Sequence, residues 1–202
     1  LAAATAEPAA AAADVRQTRG EDGAAESDRR LVSVLFADLS GFTALSERLD
    51  PEVVRAFQSE LFQEMASVIE RYEGFVEKFV GDAIMAIFGA PVAHEDDPER
   101  ALRAALAMHE RMGALDRHWA PRIGKALALH IGINTGPVVA GTLGPASGAA
   151  YAVTGDTVNT AARLQSAAQP GQTLVSRPTY RLTQHAFAFE ALGEVTVKGK
   201  SE

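Results

Sequence analysis

With 202 residues, 47 % of them apolar and 22 % charged, the chain has the makeup of a folded domain large enough to bury a core. A net charge of −7 argues against a surface built to neutralise nucleic-acid phosphates, which needs clustered Lys and Arg. The absence of cysteine excludes disulfides and cysteine-ligated zinc, and fits a reducing, cytoplasmic setting.

Residues 1–29 are Ala-rich and then polar, with no apolar stripe to bury, so they read as a low-complexity linker or tail ahead of a domain spanning 30–202. They lack the basic start and continuous apolar stretch of a signal peptide, and no run of about 18 apolar residues occurs to span a membrane. The chain begins on Leu1, as a piece of a longer protein would. Leu31 to Asp38 is a β-branched and aromatic run of strand length. Asp50-Pro51-Glu52 then supplies a cap, a first-position proline and an acidic first turn. Val54, Phe57, Leu61, Met65, Val68 and Tyr72 follow at helical spacing, and Gly74 is expected to end that helix.

Phe75 to Phe79 and Ile84 to Phe88 form two short strands across a Gly81-Asp82 hairpin turn. Asp97-Pro98-Glu99 opens a second helix, with Leu102, Ala105, Leu106, His109 and Met112 on one side. Leu127 to Ile133 alternates as a strand, and Val138 to Leu143 is expected as another after a turn at Gly136. Asp156 caps a third helix, and Thr173 to Ser176, Phe187 to Leu192 and Val195 to Val197 read as later strands. Hairpins mixed with helices predict an α+β sandwich, helices on one face of a largely antiparallel sheet.

Two carboxylates stand out. Asp38 ends an apolar strand, and Asp82 sits in a turn between two others. Each alone is ordinary as a strand terminator or turn residue, but at neighbouring strand ends they can share hard cations such as Mg²⁺. The short loop Leu39-Ser40-Gly41-Phe42-Thr43 can turn main-chain N–H groups toward an anion. Asn159 and Arg163 stand four apart on one helix face, where they suit a ribose and a phosphoryl group or else a merely solvated surface. Lys78 and Lys198 sit in or beside strands, where a lysine often just reaches for solvent. The five histidines have no metal-ligand spacing and read as structural or surface residues. Gly136 to Thr142 has P-loop glycine spacing without its lysine, and no dinucleotide fingerprint follows the first strand.

Five motifs occur in order: Phe36-Ala-Asp38-Leu-Ser-Gly-Phe-Thr43, Lys78-Phe-Val-Gly-Asp82-Ala-Ile-Met-Ala, Gly132-Ile-Asn-Thr-Gly136, Gly155-Asp-Thr-Val-Asn159-Thr-Ala-Ala-Arg163-Leu and Val197-Lys198-Gly199-Lys200. From Leu31 to the end the chain resembles the class III adenylyl/guanylyl cyclase catalytic domains of bacterial type. The resemblance implies a ferredoxin-like core and a head-to-tail homodimer with composite sites. Asp38, Asp82 and the Leu39 carbonyl would hold two divalent ions, Mg²⁺ or Mn²⁺. The partner protomer would bring Lys78 to the base, Asn159 to the ribose, Arg163 to the reacting phosphorus and Lys198 to the triphosphate. Residues 40–43 would lie along the substrate. Lysine at position 78 implies ATP rather than GTP, whereas Ala152, at the second base-reading position, offers no hydrogen bond. A guanylyl or relaxed-specificity cyclase and a non-catalytic nucleotide-binding dimerisation module are the alternatives. The family's sheet runs one strand past the last motif, so the chain is expected to lack that strand, and a regulatory domain is expected elsewhere in the full-length protein.

Overall fold

A computed structural model of the chain describes residues 28–143 and 150–192. Strand β1 (Asp28–Leu39) starts three residues ahead of the expected Leu31. It pairs antiparallel on one side with β3 (Ala83–Phe88) and on the other with β4 (Leu129–Leu143). With β2 (Phe75–Val80) and β5 (Ala150–Thr154) the described sheet runs β2–β3–β1–β4–β5, and β6 (Thr173–Val175) joins β4 in parallel. The expected α+β sandwich is what the chain forms.

The helices are α1 (Phe42–Ser46), α2 (Pro51–Arg71), α3 (Asp97–Ile123), α4 (Asp156–Ala167) and α5 (Arg177–Thr183). Asp50 caps α2 as expected, its carboxylate accepting from Glu52 N–H at 2.8 Å ahead of Pro51. Odd-numbered Leu35, Ala37 and Leu39 of β1 pack against Phe57, Leu61 and Met65 of α2 and Met108, Met112 and Trp119 of α3. Each such large side chain removed from water contributes about 1.5–3 kcal/mol. Even-numbered Val32 and Val34 turn to the other face, toward Met85, Ile87, Val138 and Ala161 of α4. Helices therefore cover both faces rather than the expected one, and the stretch of β1 from residue 31 to residue 37 is apolar but for Ser33, since both sides of that strand are covered. Among the described residues no helix is long and apolar enough to cross a membrane.

Several local expectations change, each for a packing reason. Gly136 makes no turn; β4 runs straight through it, and a Cβ there would lie 2.6 Å from Thr157 Oγ1. The left-handed residue closing α2 is Glu73 (φ 59°), not Gly74, which instead makes room for the Phe88 ring. Asp97 is the first residue of α3 rather than its cap, and its carboxylate accepts from His94 N–H at 2.7 Å. Leu106 is 51 % exposed, off the buried stripe of α3. Phe187 to Leu192 forms no strand: Phe189 packs edge-on to Tyr180 and Phe187 lies beneath Arg103, so the alternation records ring burial rather than pairing. The strand expected at Val195 to Val197, and Lys198, lie outside the described residues.

Candidate functional site

Strand register brings the two carboxylates together. Ala37 faces Ile84 across the β1–β3 pair, so Asp38, next along β1, comes up beside the β2–β3 turn that carries Asp82. Burial and then the Asp38 charge push the Asp82 carboxyl above the usual aspartate range, while its own main-chain hydrogen bond and His130 pull it back. Two half-buried carboxylates that repel each other are a poor arrangement alone and a good one around a cation. Their hard oxygens fit Mg²⁺ or Mn²⁺, which take one or two carboxylates and fill the remaining positions with substrate phosphate and water. Among the described residues no third His, Asp or Glu joins them to make an all-protein cage.

Asp38 is held from three sides. Its Oδ1 accepts from Leu39 N–H at 2.8 Å, and its Oδ2 accepts from the Gln165 side-chain amide at 3.4 Å. His130, directly opposite on β4, places Nε2 3.6 Å from the same Oδ2 and turns Nδ1 to the Gln165 main-chain oxygen at 2.9 Å. His130 and Gln165 were not singled out as site residues from the sequence. Their place at Asp38 follows from the β1–β4 register and the seat of α4, relations between segments that the neighbours of His130 and Gln165 in the chain do not record.

The Gly132-Ile-Asn-Thr-Gly136 motif acquires a reason here. Gly132, Asn134 and Gly136 share one face of β4, on which α4 lies at backbone distance. A Cβ on Gly132 would meet Gln165 N at 2.1 Å and Ala161 O at 2.4 Å. Asn134 donates to Thr157 O at 3.0 Å, and Thr157 Oγ1 donates to Pro137 O at 2.7 Å. Thr157, Ala161 and Gln165, one turn apart, are thus the buried face of α4. Asn159 and Arg163 lie two residues out of phase, roughly 200° around the helix, and point away from the sheet. Asn159 is exposed, Arg163 is half-buried, and neither side chain has a hydrogen bond or ion pair with another described residue.

The other expected site residues are spread out. Ser40 N–H is already taken by Ala128 O at 2.9 Å, and the Phe42 ring is core, 5.2 Å from Phe57. Gly41 adopts φ 70° as the cap of α1, close beneath the Lys125 ammonium, a cation the sequence did not single out. The main chain of Thr43 belongs to α1, and its side chain lies outside the described set. Lys78 is half-exposed on β2, the edge strand, and Ala152 lies on β5 opposite Gly141. Within one chain, then, Asp38, Leu39 and Asp82 gather at one strand end, while the side chains of Lys78, Asn159 and Arg163 make no hydrogen bond or ion pair with them.

Comparison with known proteins gives concordant matches. Residues 25–202 match the family described as the adenylate and guanylate cyclase catalytic domain. The chain is 33 % identical over 184 residues to adenylate cyclase 1 of Rhizobium meliloti (strain 1021), and 34 % identical over 172 residues to receptor-type guanylate cyclase gcy-28 of Caenorhabditis elegans. These alignments cover 90 % and 84 % of the chain but only 28 % and 13 % of those proteins. The fold superposes on the crystal structure of the adenylyl cyclase CyaB from P. aeruginosa with a TM-score of 0.84 at 36 % identity, covering 88 % of this chain and 92 % of that one.

Proposed function

The chain belongs to the adenylate and guanylate cyclase catalytic-domain family, and from that premise we propose that it converts ATP to cyclic AMP and pyrophosphate between two head-to-tail copies of itself. The carrying observation is the pair of mutually repelling carboxylates, Asp38 and Asp82, at adjoining strand ends. With the Leu39 carbonyl they would hold two divalent ions, which when bound make the ribose 3′-hydroxyl more acidic and neutralise the departing pyrophosphate. The main chain at Gly41 to Thr43 would lie along the phosphates, leaving Ser40 and the Phe42 ring to the fold.

The outward face of α4 supports a composite site. Its Asn159 and Arg163 are turned away from their own sheet, so a second copy is the natural recipient. There Asn159 would orient the ribose, and Arg163 would stabilise charge that builds only as the α-phosphate is attacked. Lys198 would meet the triphosphate. Lys78 would donate to a ring nitrogen of adenine, an acceptor that guanine's protonated N1 does not offer. Regulatory input would come from the rest of a longer protein.

Ala152 favours a second reading, a guanylyl or relaxed-specificity cyclase, because it leaves one base contact without a hydrogen bond. The purified domain, given ATP and GTP separately with Mn²⁺, is expected to form cyclic AMP faster. Faster cyclic GMP formation would reject ATP as the preferred substrate. A dimer that binds metal and nucleotide yet releases no pyrophosphate would reject the enzyme itself in favour of a nucleotide-binding dimerisation module.

A further inference from the structure

Edge strand β2 is irregular where it matters. Val76 pairs with Ala86 and Lys78 with Met85, so Glu77 is an extra residue in a bulge. Two residues then oppose one, the up–down alternation fails, and neighbouring side chains can meet. They do: Lys78 Nζ lies 3.1 Å from Glu77 Oε2. Sequence alternation alone would have sent these two side chains to opposite faces.

The two ends of this pair are unequal. The Glu77 side chain is 6 % exposed and that of Lys78 50 %. Glu77 Oε2 is buried without a hydrogen bond, so its meeting with the ammonium is a contact of charges rather than an aligned N–H donation. Burying a carboxylate this way is costly unless a cation answers it. A pair that served the surface alone would have both ends in water. Here the buried anion tethers one side of the ammonium, and the exposed side keeps donors free.

We propose that Glu77 is a positioning residue that holds the Lys78 ammonium in the orientation that reads the nucleotide base. This rests on the reading that Lys78 contacts the base. A lysine has four rotatable bonds, and fixing them before the base arrives lowers the ordering cost of binding. The consequence falls on KM more than on kcat. It also falls on base choice, since Ala152 adds no hydrogen bond and Lys78 carries the discrimination alone.

The test is a double-mutant cycle on the purified domain with ATP and GTP. Lys78→Met first examines the underlying reading: an unchanged ATP-to-GTP ratio of kcat/KM would remove Lys78 from the base, and the proposal with it. Given a shifted ratio, Glu77→Gln is expected to raise KM for ATP by about tenfold, the loss of one charge-assisted contact, with a smaller change in kcat. It is also expected to lower the ATP-to-GTP ratio and to have no further effect on that ratio in the Lys78→Met background. An effect of the same size in both backgrounds, or none in the native one, would overturn the positioning role while leaving the Lys78 reading intact. Should the glutamine variant not fold, Glu77→Met removes the charge without burying an amide and carries the same comparison.

Discussion

The two faces of the central sheet are closed in opposite ways. Under α2 and α3 the space is filled by large side chains, with Phe57 set edge-on against Trp119 at 5.6 Å. Under α4 the contact is made where side chains are missing, at Gly132 and Gly136, and polar groups border it: Asp38, His130, Gln165 and Asn134. Filled cores tolerate adjustment because side chains can change rotamer, whereas backbone against backbone has nothing to yield. The first face holds the larger of the two apolar clusters. The second sets where α4, and with it Asn159 and Arg163, stands relative to the carboxylates.

Removing Asp38 should show the division at its widest. Asp38→Ala is expected to lower turnover about a thousandfold, the several kcal/mol that a metal-held charge contributes. Relief of the repulsion on Asp82 should leave the metal-free Tm undiminished. Cyclic nucleotide release and thermal unfolding read the two halves, and turnover near the native rate would contradict the metal assignment. On the opposite face Phe57→Ala should do the reverse, costing about 3–5 kcal/mol of stability in denaturant titration. The molecules that remain folded should keep their kcat, and a proportionate loss of kcat would mean the two faces are not separable.

Gly132→Ala sharpens the comparison, since it alters one methyl group on the α4 side. Its Cβ would meet backbone atoms of Gln165 and Ala161, so a cost of about 3 kcal/mol is expected together with lost activity, because α4 must shift. Full activity in a stable Gly132→Ala protein would show that the seat of α4 is not critical. The smallest effect expected is on stability in Asp82→Asn. The folded-state value of Asp82 is raised, so its contribution is favourable below the ordinary aspartate pKa and is lost as pH rises through the raised value. At neutral pH, with metal chelated, Asp82→Asn should therefore raise Tm by a few degrees at most, and the gain should vanish at acidic pH. A lowered Tm at neutral pH would mean the carboxylate is better paired than its neighbours indicate.

Much of this was legible in the chain, and what was not has a common cause. The Asp50-Pro51-Glu52 start of α2 and the Gly81-Asp82 hairpin were readable because capping and turn formation are local. Asp38 was conspicuous as a carboxylate ending an apolar strand. Gly136, by contrast, reads as a turn, since a glycine that admits a neighbouring helix looks the same in sequence as one that bends the chain. His130 and Gln165, 35 residues apart, carry no shared pattern, and their meeting at Asp38 exists only once β4 is paired with β1 and α4 is seated. The Glu77 bulge was likewise invisible, because bulges are set by what a strand pairs with.

The sequence by itself determined which residues are candidates for chemistry and which stripes are buried, because local dihedral preference and hydrophobic periodicity are written along the chain. The tertiary structure alone decided that Asp38 and Asp82 share one strand end, that α4 turns Asn159 and Arg163 outward, and that Glu77 grips Lys78. Those depend on register, on which face a helix occupies and on how closely two backbones approach, and each is a relation between segments that no single segment contains.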